Sequence, residues 1–359
     1  MSVSLAREAI QKLTAYESAR SLNIQGKVFL DANEAPESPL EDFPGLNRYP
    51  EPQPEKLVRR LCSIYGVPSS RLIIGRGSDE AIDLLVRVFC EAGKDRILIC
   101  PPTYGMYEIS AKIQGVEIVK IPMILDRETQ SGAIHPALDE EKIVAAIGSG
   151  VKMIFICSPN NPTGTPFEAE LLVRIAKAAT DRAIVVIDEA YAEFSDRKSM
   201  VAEVERLPNL VVLRTLSKAW AIAGARCGVA ISSEPLIKLL QKVRAPYPLS
   251  APAVGTILKS TDALRQEKLK LRVQSLKEAR MFMITELAKL DCVKAFFPSD
   301  ANFILLQTTD SKSIMSRAAS QGVILRDRSS EPGLENCIRI TLGTPDENRQ
   351  VLEILGARS

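Results

Sequence analysis

Six short runs of almost uninterrupted apolar residues, many of them β-branched, constrain this chain most. They are RLIIGRG (71–77), RILICPP (96–102), KMIFICSP (152–159), AIVVIDEA (183–190), LVVLRTL (210–216) and CGVAISS (227–233). A strand with one face in water alternates apolar and polar residues, so strands without that alternation are covered on both faces. Segments of helical period, such as SDEAIDLLVRVFCEAG and YGMYEISAKIQG, lie between the runs. The fold class predicted is α/β, a mainly parallel sheet covered by helices.

After EPLIKLLQKVR the pattern changes. A long charged helical stretch, roughly 262–291, leads to strands ANFILLQ, GVILR and CIRITLG with helices between, which predicts a smaller α+β C-terminal domain. The three prolines of APYPLSAP (245–252) disfavour helix continuation and mark the junction. The expected organisation is an N-terminal arm (1–34) packing with the small domain or a partner subunit, a large domain (35–245) and a small domain (246–359). The proline-rich stretch APESPLEDFPGLNRYPEPQPE (35–55) is long for an irregular connection, which fits a segment that covers a site or reaches another subunit.

Composition narrows the chemistry. Lys and Arg number 46 against 44 Asp and Glu, so no global charge favours nucleic acid or an anionic membrane. A single histidine, His135, cannot build a multi-imidazole metal site, and it is expected in a surface loop without a catalytic role. The seven cysteines are scattered, with no C-x-x-C pair, and read as buried thiols of a reducing compartment. The start of the chain lacks the anatomy of a secretory signal, and no apolar run reaches membrane-spanning length, so a cytoplasmic protein is expected.

Chemistry-bearing residues gather where the apolar runs end, which is where open α/β sheets bind ligands. GRGSDEAI places Gly77, Ser78 and Asp79 at a helix start, where free N–H groups can cradle a phosphate, although alone it is an ordinary helix cap. It matches neither the dinucleotide fingerprint nor the Walker loop, which counts against an NAD-dependent oxidoreductase. ICSPNNPTG places Asn160 and Asn161 after a strand, and by itself is a turn. VVIDEAY ends a buried strand with Asp188 and Tyr191, and a carboxylate there is costly to bury unless a cation meets it. RTLSKAWAIAGARCG brings Ser217 and Lys218, with Arg226 eight residues on. Lysine, carboxylate and phosphate anchors are together what pyridoxal phosphate requires.

In this order SPNNPTG, DEAY and TLSKAWAIAGARCG resemble the fold-type I pyridoxal phosphate aminotransferases. More narrowly, LNRYPEPQP, RGSDE, CPPTYGMY, APYPLS, ILRD and IRITLGT are similar to the histidinol-phosphate aminotransferases, a likeness running from about residue 14 to the C-terminus. The resemblance implies that Lys218 bonds the cofactor and then moves a proton, that Asp188 pairs with the ring nitrogen, and that Tyr191 and Asn161 hydrogen-bond the phenolic oxygen. It implies Tyr104 on the ring face, and Gly77, Ser78, Asp79, Ser217 and Arg226 around the phosphate. Tyr49 would reach the phosphate of a neighbouring subunit, making the protein a homodimer. Arg339, Arg326, Asn33 and Tyr16 would line the substrate site, and L-histidinol phosphate and 2-oxoglutarate/glutamate would be the substrates, in histidine biosynthesis. Trp220 and Ala225 depart from the usual residues beside an expected lysine helix, which suggests repacking. An aromatic amino acid aminotransferase, a phosphothreonine decarboxylase-like enzyme and a non-catalytic cofactor-binding regulator are the alternatives. The last would usually carry an added DNA-binding module or a damaged lysine motif.

Overall fold

A computed structural model describes residues 2–21, 28–43, 45–129 and 132–356, so parts of the expected arm and of the C-terminal end lie outside the described residues. The chain begins with the short helix α1 (Glu8–Lys12), and after the proline-rich stretch enters α2 (Glu55–Tyr65). From there strands and helices alternate: β1 (Leu72–Gly75), α3 (Ser78–Phe89), β2 (Arg96–Ile99), α4 (Met106–Gln114) and β3 (Glu117–Lys120). A hairpin, β4 (Ile124–Arg127) and β5 (Ile134–Ala137), interrupts before α5 (Glu140–Ala146), β6 (Val151–Cys157), α6 (Ala169–Ala178), β7 (Ile184–Asp188), β8 (Leu210–Thr215), β9 (Gly228–Ser232) and α7 (Glu234–Val243).

The seven-stranded sheet has the order β1-β9-β8-β7-β6-β2-β3, and only β9 runs antiparallel to its neighbours. The period of two explains why each strand is apolar throughout. Ile154, Ile156, Val185 and Ile187 enter one core with Leu57, Leu61 and Leu172, while Met153, Phe155, Ile184 and Val186 enter the opposite core with Ile82, Leu85 and Leu240. Each such side chain contributes about 1.5–3 kcal/mol by leaving water. The polar ends of the strands are then the places where function can be afforded.

Next come α8 (Ala251–Ser260) and the 25-residue α9 (Ala263–Leu287), followed by β10 (Val293–Phe297), β11 (Phe303–Thr308), α10 (Ser311–Ser320), β12 (Arg326–Asp327), β13 (Cys337–Thr341) and α11 (Pro345–Leu355). The four strands form an antiparallel sheet, order β10-β11-β13-β12, one face of which packs on α9, α10 and α11 through Met283, Ile314, Ile338 and Leu352.

Side chains cross the junction expected at 245/246. Leu249 and Ile257, beyond it, are buried in the core of the large sheet, while Ile134 of the β4–β5 hairpin, before it, packs with Ala295 and Phe297 of the small sheet. Proline content does not record which sheet a segment packs against. The hairpin also relocates His135, which lies on β5 and not in a loop, exposed and 3.8 Å from Glu128. All seven cysteines are free, and five are buried. Among the described residues, no helix is long and apolar enough to cross a membrane.

Candidate active site

A cavity of about 760 Å³ opens at the carboxyl ends of the parallel strands, walled on its far side by the small sheet. Twelve of the residues singled out above line it: Gly77, Ser78, Asp79, Tyr104, Asn161, Asp188, Tyr191, Ser217, Lys218, Arg226, Arg326 and Arg339. Residues distant in sequence meet there because parallel strands end on the same edge.

Its floor is Asp188, the last residue of β7 and buried. Oδ2 accepts a hydrogen bond of 2.8 Å from the Tyr107 hydroxyl, and Oδ1 accepts one of 3.1 Å from the Ala190 N–H. Among the described residues no cation forms an ion pair with it. Burial therefore raises its pKa to about 6, the two hydrogen bonds opposing that rise and the nearby Asp79 and Glu189 adding to it. A buried carboxylate left in this condition fits a cationic ligand group. Behind it, Arg214 of β8 pairs with Glu189 at 3.1 Å and Glu193 at 2.7 Å, which ties the turn carrying Asp188 and Tyr191 to the strand leading into Ser217 and Lys218.

Lys218 reaches into the cavity, its Nζ 5.6 Å from the centre of the Tyr191 ring. Desolvation and the Arg339 charge lower its pKa, with Arg226 adding to the effect and Asp79 and Asp188 opposing it. A lysine so placed has more of its amine in the free, nucleophilic form than one in water. No helix follows it: Trp220 is buried in a turn and Ala225 ends a single 3₁₀ turn, Ala223–Ala225. The expected lysine helix does not form because the chain must double back within ten residues to start β9. Arg226 makes that reversal with φ 51°, in the left-handed region.

The side wall is an anion cradle. Gly77 precedes α3 with φ 81° and caps it with no side chain, leaving N–H groups at the helix start. A Cβ on Gly228 would lie 2.5 Å from Gly77 C and Ser78 N, so β9 approaches this turn as only glycine allows. Arg226 Nη2 donates to Asp79 Oδ2 at 3.2 Å, Tyr104 donates from its hydroxyl to Asp79 Oδ1 at 2.9 Å, and Ser217 stands on Thr215, whose hydroxyl accepts the Ser217 N–H at 3.2 Å. Asn160 is separate from all this: buried, it bonds Thr103, Pro102 and Thr163 and so shapes the loop that presents Asn161.

The small sheet supplies the opposite wall. Arg326 and Arg339 stand directly opposite each other on β12 and β13, a like-charge pair that a sheet does not choose for stability. Arg339 lies over the Phe303 ring at 5.2 Å and donates to Asn161 Oδ1. Arg328, two residues after Arg326, lines the cavity as well and pairs with Glu331. Burial and the neighbouring arginines lower the Arg339 pKa.

Three expected residues do not join the cavity. Tyr16 is 76% exposed in the arm, Asn33 is exposed with φ 54°, and Tyr49, half exposed, stacks on Tyr247 at 4.5 Å. Tyr107, Arg328 and Glu331 were not foreseen. The period-two spacing of Arg326 and Arg328 in ILRDR carried the signal for Arg328. Tyr107, on the first turn of a helix, carried none that distinguished it from core. The thiols beside the site are inert: burial pushes Cys227 up to about 12 and Cys157 further.

Comparison with known proteins places this geometry. The family model for aminotransferase class I and II matches residues 20–355. The chain is 42% identical to histidinol-phosphate aminotransferase 1 of Pasteurella multocida, over 98% of each chain. It is 44% identical to the histidinol-phosphate aminotransferase of Aeromonas salmonicida, over 98% of this chain and 97% of that one. The solved histidinol-phosphate aminotransferase of Sinorhizobium meliloti, in complex with pyridoxal-5'-phosphate, is 26% identical with a TM-score of 0.75, covering 86% of this chain and 83% of that one. With a family model matched over nearly the whole chain and relatives 42% and 44% identical over almost their full length, the chain belongs to the class I and II aminotransferases.

Proposed function

We propose that this protein is a pyridoxal 5'-phosphate-dependent histidinol-phosphate aminotransferase, exchanging an amino group between L-histidinol phosphate and 2-oxoglutarate/glutamate in histidine biosynthesis. The observation that carries the cofactor assignment is Asp188, buried and without an ion-pair partner among the described residues, on the floor of the cavity that Lys218 enters. When bound, the cofactor supplies a carbonyl carbon and an electron-withdrawing ring. Everything else is done by the chain.

Lys218 is the residue that would hold the carbonyl end of the cofactor, and its amine, when free, would be the group placed to move a proton at the substrate carbon. Burial and the Arg339 charge lower its pKa, so more of the amine is unprotonated than in a lysine exposed to water. Asp188 would meet the ring nitrogen and favour its protonated state. The Asn161 amide and the Tyr191 hydroxyl would orient the phenolic oxygen, and Tyr104 would lie against the ring. Ser78, Ser217, Arg226 and the N–H groups at the α3 start would hold the phosphate, with Gly77 and Asp79 forming that turn.

Arg326 and Arg339 bind the anionic end of the substrate. A guanidinium fork suits both a phosphate and a carboxylate, so one wall serves both half-reactions. Tyr16, Asn33 and Tyr49 lie outside the cavity of a single chain, and their assignment belongs to the homodimer, in which Tyr49 would reach the partner's phosphate site. Exposed Phe29, Leu30, Leu40, Phe43 and Leu46 around that stretch support an intersubunit face. Free thiols throughout agree with a cytoplasmic setting.

The test is an assay of the purified protein, loaded with pyridoxal phosphate, on histidinol phosphate, phenylalanine and phosphothreonine. Transamination of the first with 2-oxoglutarate is expected to dominate. If the first is inert and either of the others is consumed, the substrate assignment is wrong.

A further inference from the structure

Tyr107 is fully buried, and its hydroxyl hydrogen is given to Asp188 Oδ2 at 2.8 Å. Its ring lies nearly parallel to Phe155 of β6, centroids 4.7 Å apart and planes 9° apart, and meets Tyr104 edge-on at 5.6 Å. Stacking fixes the ring, and the ring fixes the hydroxyl. The pKa of the phenol is raised well above its usual value by burial and by the Asp188 charge, which favours the protonated, donating form.

We propose that Tyr107 is a positioning residue for transamination, holding the Asp188 carboxylate ionised and aimed at the ring nitrogen of the cofactor. The inference rests on the pyridoxal phosphate reading above. Its logic is one of charge. Asp188 is held by two neutral donors, the Tyr107 hydroxyl and the Ala190 N–H. Neutral donors stabilise the anion without cancelling it, so the ring nitrogen remains the group that meets the negative charge. A lysine or arginine in place of Tyr107 would compete with the ring. An apolar residue would leave Oδ2 buried with one bond fewer and favour moving the ring proton onto the carboxylate.

Other titratable groups face Asp188: Asp79 from α3, Tyr104 before α4, Cys157 at the end of β6, Glu189 and Tyr191 on its own turn, and Lys218 after β8. The test must therefore isolate the route through the ring nitrogen. Tyr107→Phe keeps the stacked ring and removes only the hydroxyl. The variant and the wild type are titrated with pyridoxal phosphate and with its 1-deaza analogue, which lacks the nitrogen.

Tyr107→Phe is expected to weaken pyridoxal phosphate binding about 10- to 100-fold, the cost of a lost hydrogen bond to a charged group, while leaving the deaza analogue unaffected. In the loaded variant the pH midpoint of the visible band should move up, since a ring with less positive charge favours loss of the neighbouring proton less. kcat should fall with KM little changed. In an Asp188→Asn background the same substitution should change cofactor affinity no further. Equal losses for both cofactors mean that Tyr107 only packs the site, and wild-type affinity and midpoint mean that its hydroxyl does nothing for the ring. Either result overturns the proposal. Failure of the wild type itself to bind pyridoxal phosphate through Lys218 would instead refute the underlying reading.

Discussion

The two walls of the cavity solve opposite electrostatic problems. On the large-sheet wall Asp188 is buried with neutral donors, so a negative charge waits for a cation. On the small-sheet wall Arg326, Arg328 and Arg339 crowd around a single carboxylate, Glu331, so positive charge waits for an anion. The first wall is held rigidly by strand ends, a stacked aromatic pair and the Arg214 ion pairs. The second is divided: Arg339 stands on β13 between two paired strands, while Arg326, Arg328 and Glu331 stand on a two-residue strand and the irregular segment after it (326–331). In the proposed function, the chemistry falls to the wall of strand ends and recognition of the substrate to the wall that includes an irregular segment.

Substitutions can break this contrast. The largest effect should come from Lys218→Ala, which removes the residue proposed as both covalent anchor and proton carrier. Turnover is expected to fall about 10⁴-fold or more, with loss of the yellow band that borohydride bleaches in the wild type. Asp188→Asn, on the same wall, should lower kcat about 10²- to 10³-fold, the scale of losing one preorganised electrostatic contact, as read by steady-state rates.

The opposite wall should respond in a different parameter. Arg339→Gln or Arg326→Gln is expected to reduce kcat/KM about 10- to 100-fold, mainly through KM, for both the phosphate-bearing and the dicarboxylate substrate. A loss confined to kcat would erase the division of labour between the walls.

The smallest effect is on stability. Asp188 has its folded pKa raised to about 6 from an ordinary value near 3.8, so the native state binds its proton more tightly than the unfolded chain does. Stability is then lost as pH rises through that window, and the penalty is fully present above it. Without cofactor, Asp188→Asn should melt a few degrees higher than the wild type at pH 7.5, and the gain should vanish by about pH 4. No gain at pH 7.5 would mean that the carboxylate is not held at a cost, which calorimetry of the cofactor-free proteins would reveal.

Much of the large wall was legible before folding. Apolar runs ending in Asp188, Asn161 and Ser217–Lys218 announced strands buried on both sides with polar ends, because a covered sheet leaves polar groups few other places. The α/β class and the C-terminal α+β unit followed from the same periodicities. The small wall was only partly legible. Arg326 and Arg339 were found by likeness to a family, whereas Glu331 sits in an irregular segment whose direction no periodicity sets.

By itself the sequence determined which residues end strands, and hence that lysine, carboxylate and an anion cradle share one edge. Only the tertiary structure decided that the expected lysine helix is a turn, that the β4–β5 hairpin serves the small sheet, and that Leu249 and Ile257 serve the large one. It alone joined Tyr107 to Asp188, across 81 residues of chain. The physical reason is range. Periodicity reports which face of its own element a side chain occupies, while a hydrogen bond between two elements depends on how both pack against a third, here through Phe155 of β6.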